Sequence, residues 1–267
     1  MGADIKSLRS RIRSVDSTLH LTKAMGLVAA SKIRRATRTM TRSREYAEAM
    51  DDVVAVLRSS PECARTAYMQ PGGEGTRVVV IAGDRGLAGG YNANVFRLAA
   101  TVPEAEFIPI GKRACERYGK PVVSSEKYPA TEAKKLADEL CRDFREGKFG
   151  RLGILYTRYR SMMSQEATLL WVLPLSKNEE KAEGAAPVFE PDEQTVLNAA
   201  VPTYVSGLLT ACVRESYASE VAARRMAMDS AGKNAQEMID NLQLQYNRAR
   251  QNSITQEITE IVAGSGM

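Results

Sequence analysis

Histidine occurs once in this chain, at position 20, and tryptophan once, so chemistry that needs imidazole has a single group to draw on. His20 lies in a helical pattern away from any polar cluster and reads as an ordinary surface or partly packed residue. Cys63, Cys115, Cys141 and Cys212 are scattered, with no CxxC pair and no histidine nearby. That spacing argues against a zinc site and a disulfide framework and fits a reducing compartment. No uninterrupted run of eighteen apolar residues occurs, so no membrane-spanning segment is expected. The opening MGADIKSLRSRIR lacks the apolar stretch of a secretory signal, and Gly2 is not set for myristoylation because position 6 is Lys.

With 267 residues, 44% of them hydrophobic, the chain holds one large domain or two modest ones with a real core. The net charge of +5 is unevenly placed: Lys32, Arg34, Arg35, Arg38, Arg42 and Arg44 follow one another without an acid. A basic stripe of this kind either solvates a helix face or meets an acidic partner, anionic lipid or nucleic acid.

Proline is absent before Pro61, and apolar or small residues step by three and four through the same stretch: Ile5, Leu8, Ile12, Val15, Leu19, Thr22, Gly26, Ala29, Ile33, Ala36, Met40, Ser43, Ala47, Met50, Val54, Leu57. This heptad predicts one helix of some fifty residues, roughly 80 Å long at 1.5 Å per residue. From Thr22 to Ala36 the seam is built of small residues, so a partner helix must approach closely there. The period then changes. Residues 78–83, 106–111, 121–125, 151–157 and 167–173 read as short strands, with helices over 92–100, 112–118 and 131–146. Alternation of this kind implies a mostly parallel sheet, its last two strands forming an antiparallel hairpin at one edge.

Residues 176–194 are charged, small and proline-bearing and read as an exposed linker. After Pro202 the helical period returns through Met228, Ala231, Ala235, Met238, Leu242, Tyr246 and Ala249, ending on Ile254, Ile258, Ile261 and Val262 before a Gly-Ser-Gly stop. The expected division is therefore 1–60 as an N-terminal coiled-coil helix, 61–76 as a linker, 77–175 as an α/β domain, 176–202 as linker and lead-in, and 203–267 as a C-terminal coiled-coil helix. Two long helices joined to opposite ends of one domain pair antiparallel and outreach it. The isoleucine stripe is either docked on its own domain or covered by something outside the chain.

GDRGLAGGYN (83–92) follows a strand and precedes a helix, where open α/β sheets often bind phosphate. It matches neither the P-loop nor GxGxxG, so a tight strand-to-helix turn is the better account; Asp84 and Arg85 either pair locally or face a partner. No nucleophile–base pair, carboxylate dyad or metal cluster stands out. Asp138, Glu139 and Asp143 sit on a charge-rich helix and read as a solvated face.

Thr22, Lys23, Ala24 and Met25, then VAASKIRRA (28–36), the DRGLAGGYN turn and the closing YNRARQNSITQEITEIVAG (246–264) together resemble the gamma subunit family of F-type ATP synthases, over essentially the whole chain. The resemblance implies a long antiparallel coiled coil of N- and C-terminal helices with an inserted Rossmann-like α/β domain. It further implies a rotor shaft inside a ring of three alpha and three beta subunits, with epsilon and the membrane c-ring as further partners. No catalytic residue, cofactor or metal is implied. Met25, Arg224, Arg250, Gln251 and Thr255 match positions where the family's shaft touches beta, and on the same resemblance the basic run with Lys32, Arg34 and Arg35 would face acidic loops of beta, with Ile258 and Ile261 in an apolar bearing. Gly26 departs from the family, which usually has a larger residue, and Ala88 replaces a common cysteine. No cysteine pair occurs near 178–193, so no thiol switch is expected. A start at Met1 without a transit peptide suggests a bacterial protein on the cytoplasmic face of the inner membrane, with no nucleic-acid role. Two rival readings, a nucleic-acid-binding coiled coil and an α/β enzyme with helical arms, rest on the basic run and on the glycine-rich turn.

Overall fold

The computed structural model describes residues 2–70, 72–176 and 189–264. In chain order the elements are α1 (Gly2–Ser59), a short 3-10 turn (Cys63–Arg65), β1 (Thr76–Ile81), α2 (Tyr91–Ala99), β2 (Ala105–Ile110), α3 (Lys112–Tyr118), α4 (Ala130–Arg145), β3 (Arg151–Tyr159), β4 (Gln165–Leu173) and α5 (Glu193–Gly264). They form two compact units, one of residues up to Ala30 with those from Arg224 onward, the other Ser31–Ala223.

In the first unit α1 and α5 pair along the expected seam. Leu19, Thr22 and Ala29 are buried, as is Gly26, while Ile5, Leu8, Ile12 and Val15 are half-buried. From α5 come Met228, Ala235, Ile239 and Leu242. The expected Met238 is instead 46% exposed; after Ala235 the seam steps by four and then three, which puts Ile239 inside. Arg9 donates from Nη2 to the Tyr246 hydroxyl at 2.7 Å, and Leu19 clusters with Ala235 and Ile239. Further along the pair, Gly232 stands beside Thr22 and Gly26 beside Arg225 and Met228. Partner numbers on α5 fall as those on α1 rise, so the pair is antiparallel. Gly2 lies seven residues before Arg9 and Ser253 seven after Tyr246, so on this register α1 begins opposite Ser253. Helix α5 continues to Gly264, with no α1 residue opposite its last turns.

The second unit is a sheet of order β2-β1-β3-β4. β1 pairs parallel with β2 and β3, and β4 closes one edge antiparallel to β3. Alternation along β1 divides the core: Val79 and Ile81 pack with α4 residues such as Leu140 and Phe144 and α5 residues such as Leu209, whereas Val78 and Val80 pack with Val95, Ala99 and Ala114 of α2 and α3. Both faces are therefore covered, as a parallel sheet requires. Here α1 again lies on α5, with Ala36 and Met40 against Ala218.

Two expectations change. Residues 121–125 form no strand; the Val123 carbonyl accepts from Gly111 N–H at 3.0 Å, but Pro121 has no donor for a ladder. Helix α5 starts at Glu193, ten residues before the expected 203, and runs through Pro202. Asp192 caps it, accepting from Thr195 N–H at 2.8 Å and Thr195 hydroxyl at 2.7 Å. Burial of Leu197, Val201, Val205 and Leu209 holds the helix despite the backbone bond that Pro202 removes. The linker expected at 176–194 lies mostly outside the described residues. One 18-residue window of α5 has a mean hydropathy of 1.5, long and apolar enough to cross a membrane; half of it is buried inside the protein, and core packing accounts for its apolarity.

Asp84 replaces the missing strand's ladder. Its carboxylate accepts from the Ser124 hydroxyl and from the backbone N–H groups of Ser125 at 2.9 Å, Glu126 at 3.1 Å and Lys112 at 3.1 Å. Burial alone would raise its pKa, but these four donors together hold it below the usual carboxylate range. Local pairing is therefore what Asp84 does.

Two outcomes follow from these contacts. A methyl group on Gly232 would lie 3.6 Å from Thr22 Oγ1 and 3.9 Å from Leu19 Cδ1, ordinary contact, so Gly232→Ala should stabilise the helix by about 1 kcal/mol in denaturant melting; a lower midpoint would mean that the pair needs still closer approach. Asp84→Asn should cost about 2 kcal/mol at neutral pH. Because the folded pKa is depressed, the carboxylate's contribution is complete above about pH 4 and is lost as pH falls through the folded value. Melting curves of Asp84→Asn and the parent chain should therefore converge in acid; a constant gap would refute the charge argument.

Candidate interaction surfaces and a filled crevice

In a sheet of order β2-β1-β3-β4, the crevice that could hold a ligand opens at the carboxyl ends of β1 and β3, where the connections diverge. Here it is filled by α5. Ser216 Oγ accepts from Thr157 N–H at 3.1 Å, Ser219 donates to the Thr157 carbonyl at 3.1 Å, and Tyr91 donates to the Ser216 carbonyl at 3.0 Å. Glu215 Oε1 accepts from Tyr159 N–H at 2.9 Å and from Arg44 Nη2 at 2.8 Å. All four of Glu215, Ser216, Ser219 and Glu220 are buried. Sequence reasoning missed them, although polar residues at 215, 216, 219 and 220 on one helical face inside an apolar run were a visible signal.

Glycine at position 83 makes this closure possible. A Cβ there would come within 2.8 Å of Glu220 Cδ, so the glycine-rich turn backs onto a carboxylate. The Glu220 carboxylate occupies the space beside Gly83 that a phosphate would need. The turn is otherwise held by Asn92, whose Oδ1 accepts from Gly83 N–H at 2.9 Å, and Gly89 takes a φ of 57°, open to glycine at little cost.

Other candidate chemistry is similarly accounted for. All four cysteines are free and buried, and burial pushes the Cys141 thiol up to about 12, far from nucleophilic range. His20 is an exposed partner of Asp16 at 3.8 Å. Among the described residues no group of three or more His, Cys, Asp or Glu could hold a metal ion. Asp143 corrects the solvated-face reading: only 7% exposed, it is bound by Arg77 at 2.7 Å and Lys148 at 2.8 Å. Bonds from Lys148 and Arg77 hold its pKa low. Asp138 and Glu139 are exposed.

The residues expected to meet partners fall into groups. In the first unit Met25 and Arg224 are half-buried, and Arg250, Gln251 and Thr255 are exposed. Thr255 donates its hydroxyl to the Gln251 carbonyl at 2.9 Å, a bond within the helix. Ile254, Ile258 and Ile261 are 45%, 56% and 70% exposed, on the part of α5 that runs beyond the start of α1. In the second unit Arg34 and Arg35 are exposed. Lys32, by contrast, is paired with Glu126 at 2.7 Å, and Arg44 with Glu215, so the basic run is partly neutralised within the chain.

Comparison with known proteins identifies the family. A family model described as ATP synthase matches residues 4–266. The ATP synthase gamma chain of Moorella thermoacetica is 38% identical over 281 residues, covering 98% of each chain. The ATP synthase gamma chain of Acetobacterium woodii, named as sodium ion specific, is 34% identical over 298 residues, covering 99% of each. In fold, the chain is similar to one in the OSCP/F1/c-ring part of the Euglena gracilis mitochondrial ATP synthase, with a TM-score of 0.68 at 18% identity, over 98% of this chain and 94% of that one. With a family model spanning nearly every residue and relatives above 30% identity end to end, the chain belongs to the ATP synthase gamma chain family.

Proposed function

We propose that this chain is the non-catalytic rotor subunit of an F1Fo ATP synthase, coupling transmembrane proton or sodium flow to ATP synthesis or hydrolysis on the beta subunits. The observation that carries the reading is the exposed isoleucine stripe near the end of α5: Ile254, Ile258 and Ile261, more exposed with each step, in a chain of this family. Residues 1–60 and 203–267 serve as the shaft and 77–175 as the α/β domain inserted in it. The partners are three alpha and three beta subunits around the shaft, epsilon, and the membrane c-ring. The chain is peripheral to the membrane through the complex, on the cytoplasmic face of a bacterial inner membrane, and uses no cofactor of its own.

The chemistry of the end suits rotation. Full burial of one isoleucine is worth about 1.5–3 kcal/mol, and side chains already half covered gain roughly half of that in an apolar collar. Such contacts are non-directional, so their energy changes little as the helix turns. A salt bridge would favour one angle and resist leaving it. The exposed Arg34, Arg35 and Arg38 provide the opposite kind of contact, long-range attraction to acidic loops of the ring, while Met25, Arg224, Arg250, Gln251 and Thr255 are the further contacts with beta.

Ending the chain after Ser253 should leave the α/β unit folded, as judged by melting, while coupled ATP synthesis in reassembled membranes falls several-fold. Unimpaired synthesis would remove the bearing role. Replacing Arg34 and Arg38 by Ala should shift stability by no more than about 0.5 kcal/mol yet lower coupling or alter ATPase inhibition. Equal losses in melting temperature and coupling would mean that this face is structural.

A further inference from the structure

The second unit contains a cavity of about 420 Å³ between α1, the segment leading into α4, and α5. Lys32 and Arg35 of α1, Lys127, and Arg214 of α5 bring four positive charges to its wall, against the single carboxylate of Glu126. That carboxylate is already committed. Its Oε1 accepts from Lys32 Nζ at 2.7 Å and from the Tyr217 hydroxyl at 2.9 Å, and these bonds, Lys32's first, hold its pKa below the usual range. Arg214 gives one donor to the Tyr128 carbonyl at 3.2 Å, a neutral acceptor that leaves its charge uncompensated. Arg35 and Lys127 are exposed and make no ion pair among the described residues.

Three excess positive charges around one concavity repel one another, and a multivalent anion placed among them relieves that repulsion while gaining charge-assisted hydrogen bonds. Cavities of this volume lie within the range of small-molecule sites, about 300–1,000 Å³. Two planar guanidinium groups favour a tetrahedral oxyanion that can be gripped by paired N–H donors, and the net charge matches a di- or trianion better than a lone carboxylate. We propose that this cavity binds a phosphoryl group, supplied either as free orthophosphate or as the phosphate chain of a nucleotide. Glu126 acts as the internal occupant, holding Lys32 and Tyr217 in place and setting an upper limit on affinity. The site shares Lys32 and Arg35 with the face proposed above to meet the ring, but binding is read on the chain by itself and needs neither the isoleucine end nor the assembled complex.

The test is a titration of the full chain with orthophosphate and with ATP, followed by calorimetry and by ³¹P resonance shifts, with melting curves on every variant. Saturable binding of one ligand per chain is expected. The double variant Arg35→Gln, Lys127→Gln should weaken it by about tenfold, the equivalent of 1.4 kcal/mol, with no change in melting. Glu126→Gln should tighten it several-fold, because a competing negative charge is removed. If ATP binds more tightly and shifts only its terminal phosphorus resonances, the source is the nucleotide; equal or tighter binding of orthophosphate assigns the free anion. Absence of saturation at millimolar ligand, or wild-type affinity in the double variant, overturns the proposal, as does weaker binding in a still-folded Glu126→Gln.

Discussion

Helices α1 and α5 meet on side chains too small to hold them apart, and that closeness constrains much of the molecule. Gly26 and Gly232 each leave room for a neighbour from the opposite helix, while Thr22 and Ala29 are buried beside them. Small residues contribute little apolar area, so the register cannot come from burial alone. It is pinned by larger groups at intervals, Leu19 with Ala235 and Ile239 and Arg9 with Tyr246. Once the register is set, the unequal helix lengths, 58 and 72 residues, determine which part of α5 lies opposite nothing. The exposed isoleucines are thus a consequence of pairing geometry, and no failure of packing.

In the second unit the same helix is held in another way. Glu215 joins three elements through one oxygen, accepting from Arg44 of α1 and from the backbone of Tyr159 in β3. Glu215 is buried while Arg44 is 41% exposed, so the ion pair is partly screened by solvent and the backbone bond from Tyr159 is the buried part of the hold. Ser216 and Ser219 bind both backbone groups of Thr157, satisfying the sheet end where a ligand's polar groups would otherwise go. An α/β sheet that elsewhere would present a binding crevice therefore presents a socket for its own helix.

Much of this was legible in the sequence, and the reasons for the rest are specific. Every residue of the α1 heptad from Ile5 to Leu57 is buried or half-buried, because a period sustained over many turns leaves little freedom. The strand–helix alternation and the edge hairpin followed from equally local signals. Residues 121–125 failed because β propensity was read without asking where a ladder would find its donors; Asp84, far away in sequence, supplies acceptors for this segment instead. The start of α5 was missed because the helix was read only from beyond Pro202, with no weight given to Asp192 as a cap, whereas burial of Leu197 and Val201 outweighs Pro202 in the protein. In the sequence Asp143 reads as solvent-facing and Lys32 as part of a partner-facing basic run because their partners within the chain, Arg77 and Glu126, lie 66 and 94 residues away. Long-range charge pairs leave no periodic trace, and neither does the polar face at Glu215–Glu220 reveal what it faces. The resemblance named the expected contact residues, but which of them are committed within the chain required coordinates.

The two ways of holding α5 differ in kind, and the difference has mechanical meaning. A hydrogen bond weakens steeply when its angle departs from linearity, so Glu215, Ser216 and Ser219 resist rotation of α5 against the sheet. Apolar contact depends on area and hardly on angle, so in the proposed collar Ile254, Ile258 and Ile261 would offer little resistance to turning. On the proposed reading, directional contacts sit where helix and sheet move as one body, and non-directional contacts would sit where the helix slips. A shaft that carries torque needs that distribution. Reversing it, with polar residues at the tail and apolar ones at the sheet, would bury as much surface and still transmit less.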